Sequence, residues 1–502
     1  MEGNSSLFAL WVRTMRPQKA RIMSEYIDAE FGPIDTPPVI TTGLRGWIEE
    51  AGALLKLAVP LIFTQLAQMA IMTTDIIMLG RLSSTALAAA TLGNIIFFFA
   101  WLLGLGPASA VSPMIAQLIG ARPGDRAGVR HITRMGLWAV LLVSLPLMSL
   151  LWFTRPLLIA LDQRADLAMA AGTFTAALCF GLPASLGYQV LRSFATALGK
   201  PTAPLIVMIS AIGFNAFGDY TLIFGHFGFP RLGIIGSGTA SALSFTFMFL
   251  CTLGVIHIMP SLRKYRILRR FWRPRWFELN EVFRLGMPLG LTTIFEAMMF
   301  NSATLMMGTF GAVTLAAHQI AINVPSITFM VPLGLGMAAT VRVGLASGRN
   351  DYRSVRRSGF SAMLIGGCFM ASMAMAIYAF APQIAGLYLR ASERNTAVIL
   401  QAAAFLHVAA LFQLADGQQV VMAMSLRGLK DARVPMLLAA GSYWLVGFPL
   451  CLGLGFGLGL KGMGIWYGLA SGLACAAILM TGRFVLLARR RRAWPGAMAQ
   501  PE

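Results

Sequence analysis

The sequence predicts an all-α polytopic membrane protein with 12 transmembrane helices, arranged as two six-helix lobes related by a pseudo-two-fold axis along the membrane normal. The 502-residue chain is 57% hydrophobic and only 12% charged, which is too little charge to cover a soluble protein of this size. Apolar runs recur at about the 20 residues that cross a bilayer. The second half of the chain also repeats the first half, as the matched segments below show.

Hydropathy places the individual spans. Only helices or closed barrels satisfy every backbone polar group in lipid, and the strand alternation of a barrel is absent from the sequence. The expected helices cover residues 51–79, 87–112, 131–153, 166–190, 203–225, 233–259, 283–308, 313–341, 355–380, 396–424, 434–458 and 461–486.

The basic residues predict the orientation of the chain. The net charge is +20, and most Lys and Arg residues follow the even-numbered spans, as in segments 122–134, 263–275 and 342–357. This is the positive-inside pattern, which places both termini in the cytoplasm. No nucleic-acid-binding module accompanies the basic residues, so nucleic acid is not an expected partner.

The same pattern divides the chain into five parts. We expect a cytosolic N-terminal tail over 1–50, an N-terminal lobe over 51–259, a C-terminal lobe over 283–486 and a basic cytosolic tail over 487–502. Between the lobes lies the basic linker 260–282, in which Trp and Phe alternate with Arg. That composition is typical of an amphipathic helix lying on anionic lipid.

The two lobes are predicted to be copies of one unit. Pro60 matches Pro288 and Gly80 matches Gly308, both at an offset of 228 residues. Later in the chain, the pair Leu191-Arg192 recurs as Leu426-Arg427. Copies with an even number of spans are parallel, and such duplicated bundles are typical of secondary transporters with a site between the lobes.

Four carboxylates lie well within the predicted spans: Asp75, Asp219, Glu296 and Asp416. Asn215 precedes Asp219 by four residues and shares its helix face. A charge in the membrane costs several kcal/mol, so it is retained where it meets a partner, a cavity or an ion. No Lys or Arg is expected near mid-membrane to neutralise these acids, which favours a mobile cation or a proton as their partner.

Further polar residues in the spans are candidates for a substrate cavity. Gln413 and Gln419 flank Asp416, Gln319 and Asn323 lie one turn apart, and Gln68 occupies the position that matches Glu296 in the other lobe. Polar residues in spans also join helices to one another by hydrogen bonds, and His318 is expected to make such a helix contact.

The sequence gives no indication of an enzyme. Hydrolase, zinc-protease and nucleotide-binding signatures are absent, so neither an enzyme nor a self-contained ATP-driven pump is expected. The five cysteines lie in apolar runs without metal-ligand spacing, which is typical of small buried apolar residues.

Several long segments resemble one transporter family. The segments "AVPLIFTQLAQMAIMTTDIIMLGRL", "LAAHQIAINVPSITFMVPLGLGMAATVRVG" and "SLRGLKDARVP" resemble the multidrug and toxic compound extrusion (MATE) family in its NorM-type branch. The resemblance covers residues 50–485. It implies a monomer in the bacterial inner membrane that exports small cationic amphipathic compounds by antiport with Na⁺ or H⁺, with no cofactor beyond that ion.

The resemblance also implies roles for the acids. Glu296 and Asp416 match a second-lobe cation site and are the candidate Na⁺ ligands, while Asp75 matches an acid in span 1. Asn215 and Asp219 match a first-lobe pair used by archaeal relatives, with Ser241 where some members have Thr. The sequence departs from the pattern at Phe412, where some members have Tyr.

Two questions stay open at this level. The coupling ion is Na⁺ or H⁺, and either lobe can hold the coupling site. The alternative function is a lipid-linked oligosaccharide flippase of a related two-lobe fold. Its pyrophosphate substrate would call for several Arg or Lys residues in the cavity, whereas the predicted mid-span charges here are acidic and favour cations.

Overall fold

The computed structural model describes residues 43–388 and 393–489, and the described chain contains helices but no strand. The long helices are α1 Leu44–Leu82, α2 Ser84–Ala121, α3 Arg126–Trp152, α4 Ala165–Ala197, α5 Thr202–Phe224, α6 Ile234–Ile258, α7 Trp276–Thr309, α8 Ala312–Gly348, α9 Tyr352–Ala379, α10 Glu393–Gly428, α11 Arg433–Gly457 and α12 Lys461–Arg489. Short helices cover Thr154–Ala160, Pro260–Arg263 and Ala381–Tyr388. A 3₁₀ turn at Cys179–Gly181 interrupts α4.

Eleven of these helices are long and apolar enough to cross a membrane by length and composition. The exception is α7, which has 34 residues and is therefore about 50 Å long. Its hydropathy is lowered by polar residues that include Glu296 and Asn301. The prediction of all-α, multi-pass architecture is confirmed, and α7 corresponds to the predicted seventh span.

Several helices continue past the ends that hydropathy predicted. Arg192 lies inside α4 and Arg427 in the last turn of α10, although both were expected in loops. At other ends a side chain fixes the boundary. Asp125 caps α3 by accepting from the amide of Gly128, and Asp351 caps α9 by accepting from the amides of Arg353 and Ser354. Hydropathy underestimates such helices because it detects only their apolar stretch, whereas the helix continues through polar residues.

The tails are mostly outside the described residues. The predicted cytosolic segment 1–50 is described only from residue 43, where α1 begins almost at once. The predicted segment 487–502 is described as far as Arg489, which ends α12. The cytosolic placement of both tails stays a prediction.

Glycines of α2 and α8 locate the pseudo-two-fold axis. Gly120 and Gly348 are 228 residues apart, and a β-carbon on either would collide with backbone of the other helix. Two equivalent residues touch each other only where the axis passes between them. Gly106 in turn lies against Gly290, while its equivalent Gly334 lies against Ile62, the equivalent of Gly290.

The two hydrophobic cores exchange parts of their first helices. Leu54, Leu57 and Leu61 from the first half of α1 belong to the core built by α8, α10 and α12. Val282 and Leu285 from the first half of α7 belong to the core built by α2, α3 and α4. The first half of α1 therefore packs in the core of the second lobe, and the first half of α7 packs in the core of the first lobe. Both exchanges lie at the end of the bundle where the basic loops are.

The linker between the lobes is not the predicted amphipathic helix. Within 260–282, Pro260–Arg263 is helical, residues 264–275 form turns and irregular backbone, and α7 already begins at Trp276. Arg266 and Arg270 have positive φ angles of 48° and 58°, which an α-helix does not accommodate. Arg134 of α3 donates to the backbone carbonyls of Arg270 and Arg273, both at 2.8 Å. The linker is thus held by side-chain donors, and its contact with lipid stays a prediction.

Helix α11 is the least regular span. Its segments Gly441–Gly447 and Gly453–Gly457 are π-helical, although hydropathy predicted one continuous helix over 434–458. π-Segments widen a helix locally and occur frequently at functional sites. The first of them carries Tyr443, which faces the acids described below.

Candidate functional site: carboxylates in both lobes

The first lobe brings Asp75 of α1 together with Asn215 and Asp219 of α5. Asp75 contacts both side chains, and the hydroxyl of Ser241 on α6 donates to Asp75 Oδ2 at 3.3 Å. Asn215 and Asp219 are fully buried. Nevertheless, Asp75 Oδ1, both carboxylate oxygens of Asp219 and both polar atoms of Asn215 complete no hydrogen bond within the described chain.

This arrangement is chemically incomplete without a further positive species. Two carboxyl groups in contact, away from water, do not both stay ionised unless a cation or a proton joins them. The amide oxygen of Asn215 and the hydroxyl of Ser241 add neutral oxygen atoms. The cluster can therefore hold a shared proton or a hard cation.

Asp75 and Asn215 of the first-lobe cluster border a cavity of about 380 Å³. Asp75 and Gln68 supply polar groups on its wall, and much of the rest is apolar. Aromatic rings line it on the α2 side, namely Phe97, Phe98, Phe99 and Trp101. Asn301 of α7 also reaches this cavity, so both lobes contribute to it.

The second lobe brings Glu296 of α7 to the middle of α10. Gln419 Nε2 donates to Glu296 Oε1 at 2.9 Å, and Asp416 lies within electrostatic range of Glu296. Asp416 is 5% exposed and Gln413 is fully buried. Asp416 Oδ1 and both amide atoms of Gln413 have no hydrogen-bond partner in the described residues.

The second-lobe oxygens have the chemistry of a hard-cation site. Glu296, Asp416 and Gln413 present carboxylate and amide oxygens, which hard cations prefer. Among the described residues, no group of three or more His, Cys, Asp or Glu could hold a metal ion. A cation here would therefore need the Gln oxygens, and the Na⁺ site at Glu296 and Asp416 stays a prediction.

Two functional neighbours were missed by the sequence analysis. Tyr443 of α11 is 1% exposed and contacts Gln419 within electrostatic range of both acids. Arg427 lies within electrostatic range of Glu296, which corrects the expectation that no basic residue approaches the acids. No sequence spacing signals either neighbour, because Tyr443 depends on the π-segment and Arg427 on the extension of α10.

Of the five predicted cavity residues, Gln68 lines the first-lobe cavity, whereas the other four line neither of the cavities described for this chain. Gln413 and Gln419 lie in the second-lobe cluster instead, and Gln319 and Asn323 are exposed. Asn323 Oδ1 accepts from the hydroxyl of Tyr388 at 2.8 Å. His318 behaves as expected of a helix contact, since it is fully buried with Nε2 3.1 Å from Thr304 Oγ1.

A two-lobed bundle of parallel repeats, with buried acids in both lobes, is the architecture of the secondary-transporter class. Several carboxylate oxygens of these acids have no hydrogen-bond partner among the described residues. The family model MatE matches residues 60–221 and 288–452. The chain belongs to the MatE family, and the predicted resemblance is confirmed.

Named relatives and solved structures agree with this assignment. "Probable multidrug resistance protein NorM" of Brucella suis biovar 1 is 42% identical over 474 residues, covering 94% of this chain and 100% of the relative. The protein of the same name in Mesorhizobium japonicum is 43% identical over 89% of this chain and 96% of the relative. The crystal structure of a eukaryotic MATE transporter superposes with a TM-score of 0.79 at 22% identity. The match covers 89% of this chain and 99% of that transporter. The structure of a MOP superfamily transporter from Pyrococcus furiosus superposes with a TM-score of 0.77 at 20% identity. The match covers 88% of this chain and 96% of that transporter.

Proposed function

We propose that the protein is a secondary active exporter of small cationic amphipathic compounds, working by antiport with Na⁺ or H⁺ through alternating access. Its bacterial relatives are named multidrug resistance proteins, which supports drug-like substrates and an inner-membrane location. The flippase alternative is not favoured, since these relatives cover nearly the whole chain. The proposed transporter is a monomer with membrane lipid around it, cytoplasmic termini and no cofactor beyond the coupling ion.

The observation that carries the proposal is the first-lobe cavity with Asp75 on its wall. Apolar and aromatic surface suits the body of an amphipathic compound, and aromatic faces also attract cations. The carboxylate adds charge complementarity for a positive substrate. An ion or proton that occupies the same acid cluster would weaken substrate binding, which is the linkage that antiport requires.

The contacts between the lobes support an assignment of the conformation. Gly120 and Gly348 press α2 against α8 at the end that leads into the basic loops. If those loops face the cytoplasm as predicted, the cytoplasmic side is closed and substrate leaves toward the opposite side. Occupation of the acids by an ion or a proton would then trigger substrate release, and return to the inward-facing state would reload substrate.

The proposal is tested by efflux from proteoliposomes containing the purified protein and a fluorescent lipophilic cation. A Na⁺ gradient and a pH gradient are applied separately, and the gradient that drives efflux identifies the coupling ion. We expect Glu296→Gln and Asp416→Asn each to abolish efflux while the protein still inserts, if the second lobe couples. Asp75→Asn and Asp219→Asn should do so if the first lobe couples.

Asp166→Asn is the matched control for these variants. Asp166 is an exposed acid that pairs with Arg164 at 2.7 Å at the start of α4, so its neutralisation should leave efflux unchanged. Normal efflux in both Glu296→Gln and Asp416→Asn would remove the second-lobe site from the mechanism. Normal efflux in all four variants would contradict coupling through these acids.

A further inference from the structure

A second and smaller cavity lies where helices of the two lobes meet. Its volume is about 60 Å³, and α2, α4, α8 and α10 all contribute to its wall. Arg192 and Arg427, the residues that recur in the two repeats, both line it. The remaining polar wall includes the hydroxyls of Ser109, Ser112 and Thr196.

Arg192 is buried here, and no carboxylate of the described residues forms an ion pair with it. It is 3% exposed, and its Nη2 donates to Gln65 Oε1 at 2.7 Å and lies 3.1 Å from Met337 Sδ. The side chain of the neighbouring Tyr188 also contacts Arg192, and its hydroxyl donates to the carbonyl of Pro204 at 3.3 Å. Arg192 Nη1 and Thr196 Oγ1 are buried with no hydrogen-bond partner among the described residues. A buried guanidinium with a vacant donor requires compensation, as buried charges are normally paired.

Arg427 brings a second positive charge to the same wall. It forms no ion pair within the described segments 43–388 and 393–489. The acid within its electrostatic range is Glu296, whose carboxylate is bonded instead to Gln419. Gln419 precedes Arg427 by eight residues, or about 12 Å along the helix. The two guanidinium groups thus share a cavity, and neither forms an ion pair with a carboxylate of the described residues.

We propose that this cavity binds a small monovalent inorganic anion of the halide class, with chloride as the ordinary occupant. One water needs about 10–15 Å³ of such space, so the cavity admits a few water-sized bodies. A halide fits within this limit, whereas a drug or a lipid pyrophosphate does not. Guanidinium N–H groups and hydroxyls are its donors, and charge-assisted hydrogen bonds of this kind are the strong ones.

The anion would be a ligand of one conformation of the transporter. Arg192 belongs to the first lobe and Arg427 to the second, so the pair faces one cavity only while the lobes are closed at this end. A ligand that binds one state and not the other shifts the population toward the state it binds. Chloride is therefore expected to stabilise the closed arrangement of α2 against α8 without being transported.

The test uses the purified full-length chain in detergent, titrated with potassium chloride or bromide against potassium gluconate at constant ionic strength. The thermal unfolding midpoint, read by intrinsic fluorescence, is expected to rise and saturate with either halide. Arg192→Gln and Arg427→Gln should lose this rise, and Arg192→Lys should move it to higher chloride. Arg126→Gln, which removes an exposed charge at the start of α3, should retain the full response.

A crystal grown in bromide gives a readout that does not depend on any variant. An anomalous peak between Arg192 and Arg427 is expected, and a cavity without one would overturn the proposal even if the variants fail to fold. A halide response that persists in Arg192→Gln would also overturn it. So would a saturable rise with sulfate but none with chloride, since the site would then select a larger divalent anion. None of these readouts requires efflux activity.

Discussion

Glu50 shows how a single buried charge ties the lobes together. It lies at the start of α1 and is 8% exposed. Arg342 Nε of α8 donates to Glu50 Oε1 at 2.9 Å, and Ser358 Oγ of α9 donates to the same oxygen at 2.6 Å. The charge of a first-lobe helix is thus satisfied entirely by the second lobe. The sequence placed Glu50 at the edge of a cytosolic tail, and nothing in its spacing indicated these partners.

Arg342→Gln is expected to destabilise the protein by about 3–5 kcal/mol, because removing one member of a buried ion pair leaves the other charge uncompensated. The measurement is the apparent melting temperature of the detergent-solubilised protein. Arg164→Gln is the control, since the Arg164–Asp166 pair is exposed and such pairs contribute about 0–1 kcal/mol. An equal decrease in melting temperature in the two variants would contradict the prediction, because Glu50 would then be stabilised without Arg342.

The acids themselves were the most predictable residues of the site. Glu296, Asp416, Asp75 and Asp219 were expected from the cost of charge in lipid, and the structure groups them into one cluster per lobe. Their neighbours were less predictable. Tyr443 reaches the second cluster from another helix, whereas the predicted Gln319 lies away from the described cavities. A span's hydropathy shows that an acid is unusual, but not which helix it faces.

At the scale of whole elements, α2 packs against α7 with the backbones of the two helices in direct contact at glycine positions. Gly106 has no room for a β-carbon because the backbone of Gly286 and Gly290 occupies that space. Small residues allow such close helix contacts in membranes. The repeat preserves this approach, because the equivalent Gly334 of α8 contacts the backbone and side chain of Ile62 in α1.

Gly106→Ala should therefore lower the melting temperature and the yield of folded protein, since the added methyl group forces α2 and α7 apart. Gly482→Ala on α12 is the matched control. Its position is exposed, with open space around a β-carbon, and Ala is the better helix former by about 1 kcal/mol. The control should be as stable as the parent protein or more so. A stable, well-folded Gly106→Ala would contradict the close approach of α2 and α7.

At the scale of the molecule, the closed end of the bundle is where α2, α8 and α10 meet. Gln117 Nε2 donates to the carbonyl of Gly428 at 2.9 Å and lies 3.5 Å from Ser347 Oγ. Together with the contact of Gly120 and Gly348, these bonds hold the lobes against each other. Alternating access between the lobes would require them to separate.

A cross-link between Gln117→Cys and Ser347→Cys should abolish efflux, and reduction of the cross-link should restore it. The two cysteines are introduced after the five native ones have been replaced, and the extent of linking is measured by gel shift of a chain cleaved in the linker. Each single-cysteine variant, treated with the same oxidant, should keep its efflux. Continued efflux from a fully cross-linked protein would rule out separation of the lobes at this end.

The sequence by itself determined the membrane class, the helical spans, the duplication and the presence of acids inside the spans, because these are properties of composition and spacing along one chain. Only the tertiary structure decided that α1 and α7 exchange halves between the cores, that the linker is a set of turns, and that Arg192 and Arg427 share a cavity. The physical reason is that a side chain's neighbours depend on how each helix is rotated and packed against the others. Hydropathy reports transfer into lipid and carries no information on that rotation.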